Sequence, residues 1–188
     1  MKNRFFVLFN AIILMLVLFA SCPAKTQNIS DADLAKLFED AGLRLLRETV
    51  SSVDFTLSTP EGESFTLSAL QGKVVLLNFW ATWCSPCREE KPSLKALYER
   101  FKDQGLEILA VNIMERPDEV LDFIMVYGLT YPVLLDRHGS VGAVYGVQGV
   151  PTSYLINREG RIVLRLVGTV NWDTPEIHAA FEGLLNAN

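Results

Sequence analysis

Two hydrophobic rhythms alternate along the chain, and they predict its elements. Val74 to Trp80 is apolar at every position except Asn78, the near-continuous pattern of a strand buried on both faces in a parallel sheet. Beyond the cysteines the period changes. From Arg88 to about Lys102, Leu94, Leu97, Tyr98 and Phe101 fall on one helical stripe, with Pro92 inside it as an expected kink. Asp103-Gln104-Gly105 ends that helix, and Leu106 to Asn112 reads as the next strand of a βαβ unit. Pro117 to Tyr127 follows as a helix, Tyr131 to Asp136 as a strand and Ser140 to Tyr145 as a short helical stretch. Thr152 to Asn157 and Ile162 to Val167 form an antiparallel pair around Arg158-Glu159-Gly160. Thr174 to Leu185 is the closing helix, with Thr174 as cap and Pro175 in its first turn.

Upstream, Ser30 is placed to cap a helix whose apolar stripe, Leu34, Leu37, Phe38, Ala41 and Leu45, runs to about Thr49. Val53 to Leu57 and Ser64 to Leu67 read as the strands of a hairpin turning through Pro60-Glu61-Gly62-Glu63. The sum is an α/β chain: a central mixed sheet flanked by helices, with an N-terminal β-hairpin and an extra N-terminal helix. A length of 188 residues at 49% hydrophobic content supplies one such domain and a leading segment.

The central strand ends in Ala81-Thr82-Trp83 and delivers Cys84-Ser85-Pro86-Cys87 to the first turn of the helix. Unpaired N–H groups and the positive end of the helix dipole favour an anion there, so a thiol at that point is acidified towards the reactive thiolate. Cys84 reads as the nucleophile of disulfide exchange. Cys87, on the same helical face, reads as the thiol that resolves a mixed disulfide. Glu90 lies in the run Arg88-Glu89-Glu90-Lys91, and such runs are usually solvated surface. It is also one turn past Cys87, where a base could take that thiol's proton. Trp83 and Trp80 are candidates for the rim around Cys84, and core packing is equally open to Trp80. A zinc site would need further ligands, and Cys22, His138 and His178 lack the spacing to provide them. No metal and no cofactor are expected.

The N-terminus has the form of an export signal: Met1-Lys2-Asn3-Arg4, then Phe5 to Ala20 apolar except for Asn10, then Ser21-Cys22. As a membrane span it is short, though an uncleaved anchor is compatible with it. Removing residues 1–21 takes away Lys2 and Arg4 and no acid, which deepens the net charge of −5 by two. So acidic a domain argues against nucleic acid as a partner. The expected organisation is 1–21 signal peptide, 22–52 linker and N-terminal helix, and 53–188 the α/β domain. Three cysteines leave Cys22 over once Cys84 and Cys87 pair, either lipidated, lost with the signal peptide or idle in a linker.

Phe79-Trp80-Ala81-Thr82-Trp83-Cys84-Ser85-Pro86-Cys87-Arg88-Glu89-Glu90 resembles the thioredoxin-fold proteins, and most of all their extracytoplasmic TlpA/ResA/CcmG branch. The resemblance covers roughly residues 53 to 185. Gly62 and Leu67-Ser68-Ala69-Leu70-Gln71-Gly72-Lys73 are similar to the branch's hairpin and lead-in. Gly149-Val150-Pro151-Thr152 is similar to its cis-proline segment, Glu90 matches the acid of ResA-like members, and Asn78 stands where cytoplasmic thioredoxins bury an aspartate.

The resemblance implies a thioredoxin-like fold and a thiol-disulfide oxidoreductase with a redox-active Cys84–Cys87 disulfide. It also implies a substrate backbone lying along Val150, with Pro151 positioning it and Trp83 and Thr152 beside it. Further implications are protein thiol and disulfide substrates, a membrane electron donor of the DsbD/CcdA kind, and a role in cytochrome c biogenesis. The protein would be a monomer, exported to the periplasmic or extracytoplasmic face and held there by a lipid or signal anchor. Phe19-Ala20-Ser21-Cys22 resembles a lipobox, which would lipidate Cys22. Two rivals remain: a redox-inert binding module, and a peroxiredoxin-like peroxidase, which would need Thr or Ser where Ala81 stands.

Overall fold

Alternation along one strand builds two cores. Val74, Leu76 and Trp80 point into one cluster with residues of four helices, while Val75, Leu77 and Phe79 point into another on the opposite face. The computed structural model describes residues 29–187. In chain order its elements begin with α1 (Asp31–Asp40), β1 (Val50–Ser51), β2 (Thr56–Ser58) and β3 (Ser64–Thr66). A 3₁₀ turn over Leu67–Leu70 leads to β4 (Val74–Trp80), α2 (Ser85–Phe101), β5 (Leu106–Ile113), α3 (Pro117–Tyr127) and β6 (Val133–Asp136). The chain closes with α4 (Ser140–Val144), β7 (Thr152–Ile156), β8 (Arg161–Val167) and α5 (Pro175–Asn186). This is the thioredoxin-like arrangement, with the hairpin and the added N-terminal helix.

The sheet runs β1-β8-β7-β4-β5-β6-β2-β3. β4 is central and buried throughout, parallel to β5 and antiparallel to β7. Its register sets Asn78 opposite Ser153 of β7, the one polar pair on a face otherwise packed by α2. α2 survives Pro92 because its apolar stripe is fully buried at Leu94, Leu97 and Phe101. Burial is worth about 1.5–3 kcal/mol for each such side chain, against about 3 kcal/mol for an internal proline.

The N-terminal helix stops earlier than its stripe suggests. α1 ends at Asp40, and Gly42 at φ 73° closes it: the Gly42 N–H donates to Glu39 O and the Leu43 N–H to Phe38 O, a Schellman motif. Beyond it the chain runs along β8, with Leu46 N–H donating to Val163 O at 2.8 Å before β1 begins. α1 lies so close to α5 that a Cβ on Gly183 would come within 2.8 Å of Leu37 Cδ1. The hairpin strands are also shorter than expected at their outer ends. Among the described residues no helix is long and apolar enough to cross a membrane.

Candidate active site

Cys84 is the N-cap of α2, and Pro86 sits in the helix's first turn, where its missing N–H costs nothing. The Cys87 N–H donates to Cys84 Sγ at 3.2 Å, so the sulfur takes one of the orphan donors of the helix start. Cys84 and Cys87 are joined in a disulfide with Cα atoms 5.2 Å apart. Cys84 keeps a small exposure of 5% and Cys87 none, while Trp83, Ser85 and Pro86 around them are exposed. Access therefore favours Cys84.

The Val150–Pro151 peptide is cis, and the Val150 carbonyl oxygen lies 3.6 Å from Cys84 Sγ. Strand pairing resumes at Thr152, which leaves the Val150 backbone beside the sulfur as a place where another chain can align. Thr152 itself departs from expectation. It is fully buried and its hydroxyl donates to Gly149 O at 2.7 Å, so it shapes the loop and has no face for a substrate. Trp83, at 65% exposure, is the aromatic on the rim. Trp80 is core, packed on Phe123 with ring centroids 4.8 Å apart.

The charge run after Cys87 divides by helix face. Arg88 and Glu89 are exposed, but Glu90 and Lys91 are buried at 2% and 1%. Asn78 lies between them: Nδ2 donates to Glu90 Oε1 at 2.9 Å, and Oδ1 accepts from Lys91 Nζ at 2.9 Å. Trp172 Nε1 at 3.4 Å and Thr169 Oγ1 at 3.5 Å donate to Glu90 Oε2. Burial pushes the Glu90 carboxyl above its usual range, with Lys91, Asn78, Trp172 and Thr169 pulling the other way.

A second carboxylate serves the loop ahead of the cysteines. Glu115 accepts the Thr82 N–H at 2.7 Å and the Thr82 hydroxyl, and is itself held by Asn112 Nδ2 at 2.5 Å. Met114, at φ 57°, turns the chain so that Glu115 can reach back. Lys91, Thr169, Trp172 and Glu115 all escaped the reading of the sequence. Only Lys91 had a local signal, since it shares the helical phase of Cys87 and Leu94.

Among the described residues no cluster of His, Cys, Asp or Glu is arranged to hold a metal ion. Cys22 and the residues expected to form an export signal lie outside the described residues.

Residues 49–165 match the AhpC/TSA family. The thiol-disulfide oxidoreductase ResA of Bacillus subtilis (strain 168) is 42% identical over 130 residues, which are 69% of this chain and 73% of that relative. Two Chlorobium tepidum crystal structures superpose on the domain. One, assigned as a thiol:disulfide interchange protein DsbE, has a TM-score of 0.68 at 32% identity and covers 74% of this chain and 99% of its own. The other, a thiol:disulfide interchange protein of the thioredoxin family, has a TM-score of 0.66 at 25% identity and the same coverage.

Proposed function

This chain belongs to the AhpC/TSA family, as a thioredoxin-fold thiol-disulfide oxidoreductase of the TlpA/ResA/CcmG branch, and on that premise we propose that Cys84 and Cys87 are its reacting pair. In the dithiol form the Cys84 thiolate attacks one sulfur of a substrate disulfide. The substrate S–S bond breaks, a Cys84–substrate disulfide forms, and the departing thiolate takes up a proton. Glu90 accepts the proton of the Cys87 thiol, and Cys87 attacks Cys84 Sγ. The mixed disulfide breaks and the second substrate sulfur leaves and is protonated. Two electrons and two protons have passed to the substrate, and the Cys84–Cys87 disulfide remains.

The observation that carries this reading is the position of Cys84 Sγ, which meets a helix-start N–H on one side and the Val150 carbonyl on the other. A substrate strand aligned along Val150, ahead of Pro151, would present its sulfur to Cys84, with Trp83 as an apolar wall. Ala81 supplies no hydroxyl for peroxide chemistry, and the neighbouring Thr82 hydroxyl is engaged by Glu115.

The finer reading is a monomeric reductant of protein disulfides, exported and held at the membrane through a lipid on Cys22 or an uncleaved signal. A membrane donor of the DsbD/CcdA kind would re-reduce it, and apocytochrome c is the substrate we favour. Residues 1–21 would be the signal and 53–188 the catalytic domain, with α1 between them. Insulin reduction by wild type and Cys84→Ser tests the core of the proposal. Wild type should reduce insulin and Cys84→Ser should not; a wild type without activity would favour a redox-inert binding module.

A further inference from the structure

An ammonium group in a protein core needs a partner, because burying it alone is costly. Lys91 is 1% exposed, one turn past Cys87 on the buried face of α2. Its Nζ has two companions: Asn78 Oδ1 at 2.9 Å and the face of the Trp80 ring, 4.2 Å from the centroid. Both suit a cation, one as an acceptor and the other through the negative face of its quadrupole.

The Lys91 contact also orients Asn78. An ammonium only donates, so the amide oxygen must face Lys91 and the amide NH₂ must face away. On that far side Nδ2 donates to Glu90 Oε1 and to Ser153 Oγ. The groups meeting the other Glu90 oxygen, from Trp172 and Thr169, donate as well. A carboxylate only accepts, and it fits this setting. The amide thus lies with its oxygen towards the lysine and its hydrogens towards the glutamate, the alignment that two opposite charges favour.

We propose that Lys91 is a positioning residue for disulfide exchange: acting across the Asn78 amide, its ammonium is the counter-charge that holds Glu90 as a carboxylate, ready to accept a proton. This rests on the reading of Glu90 as the proton acceptor of Cys87. Burial raises the Glu90 carboxyl, and Lys91 is the strongest influence opposing it. Burial also lowers Lys91 itself, to about 7, with Glu90 supporting its charge. The remaining titratable groups around the carboxyl offer no substitute. Tyr131, ahead of β6, is kept neutral by burial. Glu89 on α2 and Asp173 before α5, exposed along the groove that reaches Glu90 from solvent, are acids. His178 on α5 contacts Asp173.

The test is a direct titration of the Glu90 side-chain carboxyl by ¹³C NMR in the full-length reduced protein, as wild type and as Lys91→Met, with Glu90→Gln assigning the signal. Methionine keeps the unbranched shape and removes the charge. The Glu90 midpoint should rise by about one pH unit or more, and the acid limb of the exchange-rate profile should move up with it. An unmoved midpoint overturns the proposal. In a Glu90→Gln background Lys91→Met should leave the pH profile where it is; an equal shift there would mean that Lys91 acts on the cysteines directly, and would also overturn it. A Glu90→Gln protein that exchanges as fast as wild type, with the midpoint shift still present, would remove the proton-acceptor role and leave the counter-charge standing. Should Lys91→Met not fold, Lys91→Gln keeps a donor for Asn78 Oδ1 without the charge and carries the same expectation.

Discussion

Glu115 holds the backbone N–H of Thr82 at 2.7 Å across 33 residues of chain, and so fixes the loop that delivers Cys84 to its helix. Charge-assisted bonds of this kind are worth about 1.5–3 kcal/mol each. Glu115→Ala should therefore lower stability by about 1–3 kcal/mol in urea unfolding. It should also slow insulin reduction under conditions where the protein stays folded. Exchange at the wild-type rate in that variant would show that the loop keeps its shape without Glu115.

Where the elements were legible, two independent signals agreed. β4 combined a run apolar everywhere but Asn78 with flanking turn residues, and α3 began at a proline and ended before Gly128, so both sets of bounds were readable. The end of α1 was not legible, because its apolar stripe continues to Leu45 while Gly42 ends the helix by its backbone. The cysteine pair was legible from spacing alone. Its surroundings were not, because the partners of Glu90 come from Asn78, 12 residues away, and Trp172, 82 residues away. A run of four charges says nothing of which two face inward until the helix phase is anchored by the buried Cys87 and Leu94. The burial of Thr152 was illegible for a related reason: proximity to Pro151 in sequence does not say which way a side chain points.

Neither residue between the cysteines can add charge to a Cys84 thiolate, which has the helix-start N–H as its visible support. The thiolate should be stabilised only moderately, giving a reduction potential nearer thioredoxin's roughly −270 mV than the roughly −120 mV of DsbA. Equilibration with glutathione buffers measures it. A potential near the DsbA value would sink the reductant assignment.

Glu90→Gln keeps the shape of the side chain and deletes the proton acceptor. General-base contributions run at about 100-fold or more when the base is well placed, so exchange should slow on that scale near neutral pH. The pH dependence of thiol alkylation should change in the same variant. Rates within about twofold and superimposable alkylation curves would leave Glu90 with a structural part only.

Lys91 also gives stability a pH dependence of definite sign. Its folded value is depressed to about 7 from an ordinary 10.5, so between those values the unfolded chain binds the extra proton. Stability must then rise with pH across that window, and the penalty of the buried ammonium is fully present below it. Urea unfolding of the oxidised protein at pH 7, 8.5 and 10 should show wild type gaining on Lys91→Met by an amount of the order of a few kcal/mol. A constant difference between the two proteins would mean that Lys91 titrates as it does in water.

The eight-stranded sheet ends in Val50–Ser51 on one border and Ser64–Thr66 on the other, strands of two and three residues. Long bare borders invite stray chains to add themselves, rung by rung, into aggregates. Here the two end strands are too brief to act as templates. An oxidoreductase that meets other polypeptides through their backbones would be exposed to that hazard at every encounter. Short end strands would separate the two outcomes: a visiting strand aligned beside Val150, as proposed, would find a sulfur within reach, while one arriving at an end strand would find two or three residues to continue.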